Sequence, residues 1–134
     1  MDLLPYPDPR SSRSHVRGEK DSDSVAQIAI NAAFARVREE PTNDAVWKAM
    51  LQLMKQVDER TLLPSQRMDV AVFQSGAYLA ASNPTNAIQY VEEGLAIAFD
   101  VRDAFAQVTV GEFAGRCCRF KDLSDRAIAH FRSA

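Results

Sequence analysis

The residues best suited by type to do chemistry are two adjacent cysteines, Cys117 and Cys118, flanked by Arg116 and Arg119. A guanidinium beside a thiol favours the thiolate, which is the nucleophilic form. Nucleophilic catalysis also needs a base within reach, and neither histidine, His15 or His130, is close in sequence. As metal ligands the two sulfurs are poorly placed, because neighbours on a helix diverge by about 100°. Two histidines far apart in the chain do not complete a ligand set. The spacing therefore predicts free, buried thiols, no metal and no cofactor.

The acidic pairs Glu39–Glu40 and Glu92–Glu93 diverge for the same reason, whereas acid–base catalysis needs carboxylates that converge. They read as solvated faces. The five glycines, Gly18, Gly76, Gly94, Gly111 and Gly115, are scattered, so no loop of consecutive amides is available to cradle a phosphate. The residue types point away from an enzyme.

Charge narrows the partners. Formal net charge is −2, with acids and bases interspersed, which argues against a nucleic-acid partner. Arg10, Arg13, Arg17 and Lys20 form the one basic stretch, and Asp8, Glu19, Asp21 and Asp23 nearly cancel it. A regulator whose tail touches nucleic acid is the lesser alternative. No apolar run approaches the ~20 residues that span a bilayer, so no membrane partner is expected. The opening MDLLPYPDPRSS lacks the basic and apolar regions of a secretory signal. Two cysteines are too few for a disulfide scaffold, so the expected location is cytoplasmic.

These side chains must be held by helices. Residues 1–23, with Pro5, Pro7, Pro9 and several serines, read as a flexible polar tail. Leu3, Leu4 and Tyr6 form an apolar patch within it that would suit a short recognition motif. From residue 24 to 134 the apolar residues follow the helical period, and none of the chain alternates as a half-buried strand does. Six helices are predicted. The first carries Ile30, Phe34 and Val37 and stops at Pro41. The second, capped by Thr42, Asn43 or Asp44, carries Val46, Ala49, Met50, Leu53 and Val57. The third (65–81) carries Met68, Val72, Phe73 and Ala77, and the fourth (85–99) Ile88, Val91, Leu95 and Ala98. The fifth (102–120) carries Phe105, Val108, Gly111, Phe113 and Cys117. Asp122 or Ser124 would cap a sixth, facing inward through Ala127, Ile128 and Phe131.

Short connections make neighbouring helices antiparallel, so six helices give three hairpins, starting about 40 residues apart. Gly76 is placed against Ala87, and Gly115 against Ala127, where helices cross closely. Gly115, Ala127, Phe131 and Ala134 follow the small–alanine–aromatic–small spacing of a known pattern. Gly76, Ala87, Val91 and Gly94 follow it one residue short, and Pro41 followed by Trp47 looks like a repeat junction. On these residues, covering 65–134, the chain resembles the tetratricopeptide-repeat (TPR) family, with a period longer than that family's ~34 residues. The resemblance implies an all-α fold of three stacked hairpins, a short α-solenoid. It implies an adaptor or chaperone that binds an extended or helical segment of another protein in a groove lined by first helices. Those helices would present Phe73, Ala77 and Ala80 from one hairpin and Glu112, Arg116 and Arg119 from another. A structural subunit that forms a homo-oligomer or docks into a larger assembly is the alternative. Its contact would use Ile128 and Phe131, left uncovered at the end of the stack.

Overall fold

Asparagine, proline and aspartate set the corners of this chain. The computed structural model describes residues 25–57, 60 and 62–133, apart from the side chains of 127, 131 and 133. The expected tail (1–23) and its Leu3–Tyr6 patch lie outside the described residues. Those residues form five α-helices: α1 (Val25–Glu39), α2 (Asp44–Lys55), α3 (Pro64–Ala80), α4 (Pro84–Asp100) and α5 (Ala104–Ser133). No strand occurs among them.

Each of three corners is closed by a side-chain oxygen that accepts from a first-turn amide. Asn43 Oδ1 takes the Ala45 amide at 3.1 Å, Asn83 Oδ1 the Asn86 amide at 3.2 Å, and Asp103 Oδ1 the Ala106 amide at 3.0 Å. Pro64 and Pro84 begin α3 and α4, where a missing amide proton costs nothing. Two of the corners are near copies. Ser82 (φ 59°) and Arg102 (φ 58°) both adopt the left-handed conformation. The amide of the following residue then reaches back to the previous helix, Asn83 to the Tyr78 carbonyl at 2.8 Å and Asp103 to that of Ala98 at 3.0 Å.

The helices pack in chain order, with α3 at the centre. Eleven of its seventeen residues are buried, because α1 and α2 cover one side and α4 and α5 lie on the other. On the first side Phe73 meets Phe34 edge-on at 5.2 Å and Trp47 at 5.0 Å. The Trp47 indole nitrogen donates to the Pro41 carbonyl at 2.8 Å, so this buried ring leaves its proton satisfied. A polar chain, buried at Gln66 and Gln27, also joins α1 to α3. Gln66 donates to Gln27 at 3.2 Å, Gln27 donates to Asn31 at 3.0 Å, and Gln66 accepts from the Leu63 amide at 2.9 Å. On the second side Ser75 Oγ donates to the Ala87 carbonyl at 2.6 Å and lies 3.6 Å from Cys117 Sγ.

Several expectations are corrected. The described residues form five helices rather than six, and the third hairpin is absent among them: α5 runs unbroken for 30 residues. No proline or glycine falls between Phe120 and Arg126, and ion pairs one turn apart, Lys121–Asp125 at 2.7 Å and Asp122–Arg126 at 3.2 Å, span the expected corner. The buried face of α2 is turned from the predicted stripe: Trp47 and Met54 are buried, while Leu53 and Ala49 are exposed. The large indole takes the inward position. In α5, Ala106, Val110, Phe113 and Cys117 face inward, leaving Phe105 and Val108 exposed. Gly76 meets Trp47 rather than Ala87, whose crossing partner is Ser75, and a Cβ on Gly115 would meet nothing within 4 Å. The close approach of α3 and α4 is at Gly94, where an added Cβ would lie 3.2 Å from Val72 and 3.5 Å from the Met68 carbonyl.

Alternate helices start at close to the expected spacing. α1, α3 and α5 begin at Val25, Pro64 and Ala104, steps of 39 and 40 residues.

Candidate binding surface

The inward stripe of α3 leaves one narrow row facing out, at Arg67, Val70, Gln74 and Tyr78, three or four residues apart and so on one face. α4 runs antiparallel beside it, which brings Ile97, Glu93 and Tyr90 alongside that row. Gly94 and Ser75 hold the two helices close. The result is a shallow cleft of about 210 Å³ lined by Leu62, Arg67, Val70, Ala71, Gln74, Glu93 and Ile97. Past its end the half-buried rings of Tyr78 and Tyr90 stack, 5.3 Å apart and within 5° of parallel. Loss of water raises the Tyr90 phenol pKa, with the Tyr78 hydroxyl adding to the effect. The stacked rings add aromatic surface beside the cleft, with Arg67 and Glu93 at its edge.

Cofactor and drug-sized pockets run from roughly 300 to 1,000 Å³. A cleft of about 210 Å³ suits one or two side chains laid across a surface. Its chemistry is that of contact, with an apolar floor and charges of either sign at its edge.

The sequence-predicted residues do not converge on one surface. Phe73 is fully buried between Phe34 and Trp47, and Ala77 is 7% exposed, so both belong to the core and offer a partner nothing to touch. Ala80 is partly buried at the end of α3. Glu112 and Arg119 are exposed on α5 and Arg116 is half-buried there. Phe73 faces α1 and α2, whereas α5 approaches α3 from the Ser75 side, so the two predicted sets cannot line one groove. Ile128 is 49% exposed; the side chain of Phe131 lies outside the described residues.

Of the thiols, Cys117 is buried and Cys118 is exposed, so the expectation of two buried thiols holds for the first alone. Burial pushes the Cys117 thiol pKa up, which disfavours the nucleophilic form. Glu39 and Glu40 sit in solvent around Arg36, at 3.4 and 2.7 Å. Among the described residues no group of three His, Cys, Asp or Glu side chains is placed to hold a metal ion, and no helix is long and apolar enough to cross a membrane. No family model, curated protein or solved structure matches this chain.

The α3–α4 row escaped the sequence reading. Its signal was the Arg67–Val70–Gln74–Tyr78 spacing, a polar and amphipathic row within a helix whose other faces are mostly buried.

Proposed function

We propose that this chain is a TPR-like adaptor, cytoplasmic and not an enzyme, that holds an extended or helical segment of another protein along the α3–α4 seam. The observation that carries this reading is the cleft itself: an apolar floor too small for a cofactor, edged by Arg67 and Glu93, with a tyrosine stack about one helical turn beyond Gln74 and Glu93. Buried apolar anchors with charged neighbours are what a bound peptide needs for affinity and register. The 39- and 40-residue steps between the starts of α1, α3 and α5 support the repeat reading. Two free thiols fit a reducing compartment.

The test places a photo-crosslinking amino acid at Gln74 in the full chain, expressed in cells. Discrete adducts are expected, and Val70→Glu should abolish them while the variant keeps its helical circular dichroism. Adducts that persist in the folded Val70→Glu variant, or that form equally from a crosslinker at Lys48 on α2, would remove the seam as the binding surface.

A further inference from the structure

The outer face of α5 carries a row that the monomer does not use. Phe105, Val108, Glu112, Gly115, Arg119, Leu123 and Arg126 follow one another in steps of three and four residues, so they form a single stripe. The buried residues Ala106, Val110, Phe113 and Cys117 occupy a different face, turned inward. Phe105, Val108 and Leu123 are 49%, 60% and 56% exposed. Glu112 and Arg119 are two helical turns apart, about 10 Å along the axis, too far to pair with each other. Gly115, in the middle, is exposed, and a Cβ there would meet nothing within 4 Å. A glycine in mid-helix is unfavourable for the helix, and packing within the chain gives no reason for it.

The stripe is complementary to itself read backwards. Laid antiparallel on a second copy about a two-fold axis between Gly115 and Arg116, Glu112 falls opposite Arg119 of the other copy, and Arg119 opposite Glu112. Val108 then meets Leu123, and Phe105 meets the guanidinium of Arg126, whose ion pair with Asp122 is exposed to water. The two glycines flank that axis, about 1.5 Å apart along the helices, where a side chain would hold the copies apart. In a parallel pairing each charge would instead face its own kind. We infer that the chain forms a two-fold dimer through antiparallel α5 helices centred between Gly115 and Arg116. This surface is separate from the α3–α4 seam, so both can be occupied together, and either assignment can fail without the other.

The experiment is a charge swap read by sedimentation velocity. Wild type should dimerise. Glu112→Arg alone and Arg119→Glu alone each set like charges together at both symmetric pairs, and each should weaken dimerisation by roughly tenfold or more. The double variant Glu112→Arg/Arg119→Glu should restore it. Both positions are exposed, so circular dichroism should be unchanged. Independently, Gly115→Cys in a Cys118→Ser chain should oxidise to a covalent dimer. Three results each overturn the proposal: a wild-type monomer at roughly 100 µM, well above the micromolar range of weak specific contacts; a dimer indifferent to the swaps; or single defects that the double variant does not repair.

Discussion

At the scale of single residues, the glycines differ in what they do. Gly76 exists for Trp47: a Cβ added there would lie 2.6 and 2.8 Å from two carbons of the indole. The ring cannot retreat, because its nitrogen is tied to the Pro41 carbonyl and its face lies against Phe73. Gly76→Ala should therefore cost about 1–3 kcal/mol, the usual range for overpacking. Gly111 is the control, since the nearest atom to its added Cβ is a Leu95 methyl at 4.0 Å. Gly111→Ala should add about 0.5–1 kcal/mol by removing glycine's freedom in the unfolded chain. Urea denaturation of the two variants checks both signs, and equal behaviour would contradict the close approach. Spacing alone could identify Gly76 as a crossing point. It could not say which side chain crossed there, because Trp47 is 29 positions away and its rotation on α2 depends on packing.

At the scale of elements, the corners after α3 and α4 place Ser82 and Arg102 in a conformation that costs a residue with a Cβ roughly 1 kcal/mol. Arg102→Gly should recover about 0.5–1 kcal/mol, seen as a higher melting temperature. A lower one would mean that the arginine side chain contributes more than its backbone strain costs. Helix existence was legible in the sequence wherever a proline or an asparagine ended an apolar stripe, as at Pro41, Asn43 and Asn83. It failed at Asp122 and Ser124, since capping residues also occur inside helices, and only the Lys121–Asp125 and Asp122–Arg126 pairs tell the two situations apart. The candidate site was less legible. Phe73 and Ala77 sit on the predicted inward stripe and are buried, so the same periodicity that found them as core argues against them as groove. The seam depends on which face of α3 its neighbours leave open, a tertiary fact that no local pattern contains.

At the scale of the whole molecule, α3 makes the fold depend on two buried interfaces of unlike character, one aromatic and one built from small residues. The second carries a pH signature. Burial raises the Cys117 thiol above the ordinary 9.0, and desolvation raises the Tyr90 phenol above 10.0. The folded chain thus holds these protons longer than the unfolded chain does. The corresponding stability is complete below pH 9 and is lost as pH rises through the folded values. Urea midpoints should be flat near neutrality and fall above pH 9, with a shallower fall in Cys117→Ala. A wild-type profile that stays level there would contradict the burial of Cys117 and the partial desolvation of Tyr90. At the acid end the sign reverses. Hydrogen bonds from Arg36 and then Asn43 lower the Glu40 carboxyl below 4.5, so its small contribution is present above that pH and disappears as pH falls through the folded value.

The paired corners at Ser82 and Arg102 have a consequence for how such a chain can change length. Each hands the next helix its first residue with the same dihedral and the same hydrogen bonds, twenty positions apart. A cassette cut from one corner to the next can be spliced out or copied without altering the joint it leaves behind. One cassette reverses the direction of everything downstream, whereas two restore it. Natural length variants that keep the ends pointing the same way should accordingly differ by helix pairs.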